Sequence, residues 1–222
     1  GRGRPSVSSG TVRAAASLDH PNVVAVYDVG MEDGSPYVVM ELVGGTTLRR
    51  FVGASSPPLG ARIGWLVVIV RALGVAHGAG LVHRDIKPDN VMVRDDGQLK
   101  VLDFGVARRT TALDDVTGGG TGEGVIVGTP AYMAPEQARS LEVDGRADQF
   151  AWAVLAYELL TGAWPWSAVA SFASVLAAVL TETPRGPFDR FGVGSRAIAA
   201  VLARALAKAR TDRFATMDAA AD

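Results

Sequence analysis

The segment HRDIKPDN at residues 83–90, together with the hairpin that follows it, decides the fold of this chain. Two short apolar runs, at 91–93 and 99–102, flank the polar stretch Asp95-Asp96-Gly97. A polar turn that contains glycine, set between two apolar runs, is typical of a β-hairpin. The segment 83–90 therefore leads directly into a hairpin, and we expect its side chains to gather at one end of it.

Asn90 and Asp103 are the oxygen-bearing side chains on either side of this hairpin. Counted from a turn centred between Asp96 and Gly97 they are equally distant, so antiparallel pairing places them opposite each other at its open end. One carboxylate and one amide oxygen at a single point suit a hard cation whose shell is completed by water and phosphate. The pair therefore favours Mg²⁺ over zinc.

Asp85 and Lys87 add a third carboxylate and a cation at the same end of the hairpin. Asp85 comes five residues before Asn90, on the loop that enters the hairpin, and is placed to orient or deprotonate a hydroxyl. Lys87 is placed to stabilise charge on a transferring phosphoryl group. Each residue taken alone is explained as a turn former or a loop cap, but the spacing of the set favours catalysis.

The sequence resembles the eukaryotic-type protein kinases, and specifically the bacterial serine/threonine kinases. HRDIKPDN matches the family's catalytic loop, H-R-D-x-K-x-x-N, and DFG stands at 103–105. Further matches occur in the family's order: LDHPNVV at 18–24 (the turn after helix αC), MELVGGTTL at 40–48 (the hinge), GTPAYMAPEQ at 128–137 (the end of the activation segment) and DQFAWAVLAYELLTG at 148–162 (the central buried helix).

This resemblance implies catalytic roles for individual residues. Asp85 would be the catalytic base, Lys87 would contact the γ-phosphate of ATP, and Asn90 and Asp103 would hold Mg²⁺. Lys87 together with Thr129 points to protein substrates with Ser or Thr rather than Tyr. For the nucleotide, the implied contacts are Met40 as gatekeeper, the backbone of Glu41 and Val43 against adenine, and Leu48 and Met92 packed beneath it.

The resemblance also implies structural and regulatory residues. His83 would pack on Phe104, Asp148 would anchor the catalytic loop, and Glu136 would pair with Arg213. Regulation would involve a phosphate on Thr121, in the glycine-rich segment GGGTGEG at 118–124. Arg84 and Arg108 would bind this phosphate. The other two histidines, His20 and His77, are interpreted as turn and helix-end residues.

Three features that the family needs are absent from this sequence. No lysine precedes Lys87, so the lysine of the family's third strand is missing, and Thr11 stands where the αC glutamate belongs. Residues 1–10 do not form G-x-G-x-x-G. We favour a fragment of an ordinary kinase, which as it stands transfers phosphate poorly. The alternative is a degenerate kinase that serves as a protein-binding or scaffolding module. A metal-dependent hydrolase is a weaker hypothesis, because it leaves GTPAYMAPEQ and the hinge unexplained.

The predicted fold is α+β, a bilobal kinase-like fold with a complete, mainly helical C-lobe. Its N-lobe is reduced to the end of the αC helix, the family's fourth and fifth strands and the hinge. We expect a flexible N-terminus at 1–10, the N-lobe remnant and hinge at 11–46, and the C-lobe at 47–222. Apolar runs at 23–29 and 37–43 predict a first hairpin, and apolar periodicity predicts further helices. These helices are expected from about 59 to Gly78 and at 150–160, 171–181 and 195–209.

Composition narrows the possible partners. Lys plus Arg is 22 against 23 for Asp plus Glu, and this balance gives no reason to expect nucleic-acid binding. The absence of cysteine excludes disulfides and thiolate chemistry. The longest apolar runs, 65–70 and 150–160, are too short to span a membrane, so we expect a cytoplasmic chain or the cytoplasmic domain of a longer, membrane-anchored protein. Uncovered strands in the N-lobe remnant predict self-association.

Overall fold

The computed structural model describes residues 18–33, 35–54, 57–104, 130–166, 171–185 and 195–221, in an α+β arrangement that confirms the predicted fold class. Its strands are β1 (Val26–Glu32), β2 (Ser35–Met40), β3 (Thr46–Thr47), β4 (Val91–Val93) and β5 (Leu99–Val101). Its helices are α1 (Leu59–Gly78), α2 (Pro135–Ala138), α3 (Arg146–Thr161), α4 (Phe172–Thr181), α5 (Ser195–Ala205) and α6 (Asp218–Ala221). Single 3-10 turns occupy Leu48–Phe51, Pro88–Asn90, Pro130–Tyr132 and Arg210–Asp212.

Helix α3 is the centre of the core, as the apolar run at 150–160 predicted. Side chains on every face of it are buried, including Phe150, Val154 and Leu155. A helix that is buried all round must be enclosed by other elements. It ends at Gly162, whose φ of 72° is the left-handed conformation that commonly stops a helix.

Helix α1 packs against α3 and spans Leu59–Gly78, as the sequence analysis expected. Its most apolar 18 residues have a mean hydropathy of 1.8, so by length and composition it passes the test for crossing a membrane. The sequence expectation concerned unbroken apolar runs, and α1 passes this test only as a whole helix, because Arg62 and Arg71 interrupt its apolar residues. Leu66, Ile69 and Leu73 lie in the core, and the Trp152 indole donates a hydrogen bond to the Leu66 carbonyl. In this structure α1 is a core helix.

The first hairpin forms, but its strands are displaced from the predicted runs. β1 and β2 pair antiparallel, with Glu32 opposite Ser35 at the turn and an irregularity between Val26 and Asp28. Val23 and Val24 do not join this hairpin; they are buried beside β5, where the Val24 N–H donates to the Val101 carbonyl at 2.9 Å. The apolar run at 23–29 is therefore divided between two sheets: its first residues lie beside β5, and the residues from Val26 onward belong to β1.

The second hairpin, β4–β5, differs from the prediction by one residue of register. Val91 lies opposite Val101, so Asn90 is level with Leu102 and not with Asp103. The cause is a three-residue turn, in which the Arg94 N–H donates to the Gln98 carbonyl and Gly97 adopts a φ of 81°. Asp103 follows one residue beyond the pairing that was expected.

Candidate active site

The catalytic loop, residues 83–90, brings three of the expected polar side chains into contact. Lys87 Nζ donates to Asp85 Oδ2 at 2.9 Å. Asn90 Nδ2 donates to the Asp85 backbone carbonyl at 2.8 Å and to Asp85 Oδ2 at 3.1 Å. The 3-10 turn that begins at Pro88 folds the chain back so that these bonds form. The loop therefore presents a carboxylate whose orientation is fixed by an ammonium and an amide.

The carboxylate of Asp148, on α3, anchors this loop through hydrogen bonds to its backbone. Its carboxylate is fully buried and accepts hydrogen bonds from the backbone N–H groups of His83 and Arg84, at 2.8 and 2.7 Å. His77 Nε2 lies 2.8 Å from the same carboxylate. Arg84 has a φ of 68°, a conformation that costs energy in a non-glycine residue and persists where its surroundings impose it. Asp148 supplies that constraint.

His83 joins the catalytic loop to the end of the second hairpin. Its ring is buried 4.8 Å from that of Phe104, and Nε2 lies 2.6 Å from the Leu102 carbonyl. Burial lowers the pKa of the His83 imidazole below its ordinary value and outweighs the opposing effect of nearby carboxylates. His83 is therefore neutral at neutral pH and acts as a packed connector rather than as a charge.

Asp103 comes next to Asn90 through the hairpin backbone, even though the two residues are not directly paired. The Leu102 N–H donates to the Asn90 carbonyl at 2.9 Å, and Asp103 follows with a φ of 54° on the exposed surface. Among the described residues no group of three His, Cys, Asp or Glu side chains could hold a metal alone. One amide and one carboxylate do fit Mg²⁺ when phosphate oxygens supply further ligands.

Three of the expected nucleotide-side residues, Met40, Glu41 and Val43, lie at or just after the end of β2, whereas Leu48 begins the 3-10 turn after β3 and Met92 lies on β4. The Glu41 N–H donates to the Ala25 carbonyl at 2.8 Å, so any adenine contact from the Glu41 backbone falls to its carbonyl oxygen. Leu48 is fully buried. Met40, Val43 and Met92 are half-buried.

Glu136 and Arg213 form a buried, two-bond ion pair across 77 residues. The guanidinium donates to the two carboxylate oxygens at 2.6 and 2.8 Å. It also donates to the backbone carbonyls of Ala207, Arg146 and Lys208. The pair fastens α2, at the end of the activation segment, to the C-terminal part of the domain.

Comparison with known proteins identifies the family. The family profile described as "Protein kinase domain" matches residues 11–222. The chain belongs to the protein kinase family. The serine/threonine-protein kinase Pkn1 of Myxococcus xanthus is 42% identical over 213 residues, which are 93% of this chain and 30% of the relative. PknL of Mycobacterium tuberculosis, also named a serine/threonine-protein kinase, is 39% identical over 204 residues, which are 91% of this chain and 50% of PknL. This kinase chain therefore spans half or less of the length of these relatives.

Three of the expected kinase residues, Thr129, Arg108 and Thr121, lie outside the described residues. Arg84, which with Arg108 was expected to bind a phosphate on Thr121, is exposed, and its backbone carbonyl accepts a hydrogen bond from Gln137 Nε2 at 2.9 Å. Sequence reasoning placed His77 at a helix end but missed its contact with Asp148, because the two residues are 71 positions apart. It also missed Lys100, which donates to the Glu41 carboxylate at 2.7 Å.

Proposed function

We propose that this chain is the catalytic part of a serine/threonine protein kinase that transfers the γ-phosphate of ATP to Ser or Thr hydroxyls. The observation that carries the proposal is the contact of Asp85 with Lys87 and Asn90 on a loop fastened to Asp148. The names of the relatives Pkn1 and PknL, both serine/threonine-protein kinases, support the substrate class.

Asp85 acts as the base in this proposal. Its carboxylate accepts the proton of the attacking hydroxyl while Lys87 and Asn90 hold it in one orientation. Lys87 then offsets negative charge on the transferring phosphoryl group, and with Thr129 it selects aliphatic hydroxyls. Asn90 and Asp103 would hold Mg²⁺, which neutralises phosphate charge when bound.

The same proposal assigns the nucleotide and regulatory residues. Met40, the backbone carbonyl of Glu41 and the backbone of Val43 line one side of the adenine, with Leu48 and Met92 beneath it. Phosphorylation of Thr121, with Arg84 and Arg108 as its partners, would regulate the enzyme.

We further propose a cytoplasmic location and self-association through β1–β2. Tyr27 and Met31 are 66% and 62% exposed on β1, and exposed apolar side chains on an open sheet favour contact between copies. Light scattering after size-exclusion chromatography tests the association, and a monomer at all concentrations would contradict it.

The test of the kinase assignment is transfer of labelled phosphate from Mg-ATP to a serine peptide. We expect slow transfer at millimolar ATP, because no lysine precedes Lys87 to fix the α- and β-phosphates. Asp85→Asn should reduce transfer by several orders of magnitude. The matched control is Asp95→Asn, which changes an exposed aspartate in the turn of the adjoining hairpin and should leave transfer intact. Equal transfer by the unaltered chain and Asp85→Asn would contradict the proposal, and peptide binding without transfer would favour the scaffolding function.

A further inference from the structure

A cavity of about 420 Å³ lies between the end of α1, the start of α3 and the segment that leads into α6. A volume of this size holds a small organic molecule. None of the catalytic-loop residues 83–90 lines it, so it is separate from the candidate active site. We call it the Gln149 cavity, after the most informative of the residues that form its wall.

Gln149 gives the first indication that this cavity binds a ligand. The residue is 1% exposed, and its Nε2 group donates to the Phe214 carbonyl at 3.0 Å. Its other polar atom, Oε1, is buried and has no hydrogen-bond partner among the described residues. A buried acceptor without a partner costs free energy, and such a group in a folded protein requires an explanation. A ligand in the cavity that directs an N–H group at Gln149 Oε1 would remove this cost.

His77 brings a second hydrogen-bond acceptor to the cavity wall. Its Nε2 lies 2.8 Å from the Asp148 carboxylate, which accepts hydrogen bonds, so Nε2 donates and Nδ1 is the acceptor in the neutral ring. The His77 side chain is 18% exposed. Gly145, which also lines the cavity, leaves the Nδ1 edge of the ring uncovered, because a β-carbon there would lie 2.6 Å from Nδ1.

The charges around the cavity favour a cation. Asp144 and Asp218 both line it, and only one lining arginine, Arg146, opposes them. Arg210 lies 3.7 Å from Asp144, whereas Asp218 has no ion pair among the described residues. An anion would find few donors at the start of α3, because the N–H groups of Arg146 and Ala147 already donate to Asp144, at 2.9 and 3.0 Å. The ligand that matches these acceptors is positively charged and carries several N–H groups.

We propose that the Gln149 cavity binds a small amidinium or guanidinium compound, whose N–H groups bond to Gln149 Oε1 and whose charge is balanced by Asp218. A planar cation of this kind carries donors on two sides, as the arginine side chain does. Lining glycines and Met217 supply apolar contact for the rest of the ligand. The site goes beyond the proposed function, because binding is expected whether or not the chain transfers phosphate.

The experiment compares three probes of similar shape: benzamidine, which is a cation, neutral benzamide and anionic benzoate. Each is titrated into the full chain, and binding is followed by NMR of the ring nitrogens of the three histidines. Benzamidine should bind with a Kd below about 1 mM, and the other two should bind at least about tenfold more weakly. The Nδ1 signal of His77 should move further than the signals of His20 and His83.

Two pairs of variants test whether the cation lies in the cavity. Gly78→Phe fills the cavity from its wall, because a β-carbon there meets nothing within 4 Å, and it should weaken benzamidine binding about tenfold or more. Gly64→Phe is the matched control, since Gly64 lies on the same helix with an equally open position outside the cavity. Asp218→Asn should weaken binding about threefold, whereas Asp212→Asn changes an exposed aspartate outside the cavity and should not.

Gln149→Met removes the unpartnered acceptor and should weaken benzamidine binding about tenfold. If this variant does not fold, Gly78→Phe and Asp218→Asn still decide, because both replace exposed residues. Equal Kd values for benzamidine and benzamide would overturn the proposal, as would benzamidine binding that Gly78→Phe leaves unchanged. Binding that leaves the His77 signals unmoved would place the cation elsewhere and also overturn it. Phosphate transfer is measured independently, so its failure would contradict the kinase assignment alone.

Discussion

The helical half around α3 and the β1–β2 hairpin are held in place by very different interactions. In the helical half, the polar groups that fasten segments together are buried and bound by several partners, as in the Glu136–Arg213 pair and the Asp148 carboxylate. In the β1–β2 hairpin and the hinge after it, large apolar side chains face solvent, and Leu42 is 97% exposed.

This difference shows that the catalytic loop belongs to the helical half. The backbone N–H groups of His83 and Arg84 donate to the Asp148 carboxylate, which is buried in that half on α3. The segments that flank the first hairpin are held differently: before β1 the Val24 N–H donates to the Val101 carbonyl, and after β2 the Glu41 carboxylate accepts from Lys100. We therefore expect substitutions in the two regions to differ sharply in their effect on stability.

The largest effect is expected for the buried ion pair. Arg213→Ala leaves the Glu136 carboxylate buried without its cation, and we expect a loss of about 3–5 kcal/mol in the free energy of unfolding. Urea denaturation measures it. Arg210→Ala is the matched control, because Arg210 is partly exposed and 3.7 Å from its acidic partners, so it should cost under about 1 kcal/mol. Equal losses for Arg213→Ala and Arg210→Ala would contradict the prediction that the buried ion pair contributes more to stability than the exposed ones.

The next largest loss of stability is expected for a buried leucine, and an exposed leucine provides the comparison. Leu155→Ala removes a fully buried side chain from α3 and should cost about 2–5 kcal/mol through lost burial and the cavity left behind. Leu42→Ala, in the hinge, should stay within about 0.5 kcal/mol. Thermal melting of both variants checks the prediction, and a comparable drop in Tm for Leu42→Ala would contradict the exposure of Leu42 in the hinge.

The smallest effect concerns the connection between the hinge and β5. The hydrogen bond from Lys100 holds the pKa of Glu41 below its ordinary value of 4.5, despite the opposing effect of burial. A lowered pKa means that this stabilisation is present above pH 4.5 and is lost as pH falls through the value in the folded protein. Lys100→Met should cost about 1 kcal/mol at pH 7.

The pH dependence gives this prediction a second measurement. The difference in unfolding free energy between the unaltered chain and Lys100→Met should shrink as the pH is lowered below 4.5. Lys208→Met changes the last lysine, which bonds to carbonyls of α4 and not to Glu41, and serves as the control. A Lys100→Met difference that does not change with pH would argue against the ion pair with Glu41.

Local patterns predicted the elements, and the family resemblance predicted most of the candidate site. Apolar periodicity located α1, α3 and α4, and the apolar runs around a glycine turn located β4–β5. The register of that hairpin was missed because one extra turn residue, with Gly97 in the left-handed conformation, moves every pair by one position.

Local sequence patterns could not predict the contacts between distant segments of the chain. Val23 and Val24 read as part of a hairpin strand, yet they add to β5 instead, because burial in the larger core outweighs strand continuity. The Arg49 guanidinium bonds to Asp89, Tyr132 and Glu158, up to 109 positions away, and no spacing in the sequence signals these contacts.

The most direct test of the division between the two regions is amide hydrogen exchange of the native chain, read by mass spectrometry. The amides of His83 and Arg84, bonded to buried Asp148, should exchange as slowly as those of α3, near the global unfolding limit. Amides of β1 and β2 should exchange about 100-fold faster or more, through local opening. Protection of β1–β2 equal to that of α3, or rapid exchange of the catalytic loop, would contradict the account.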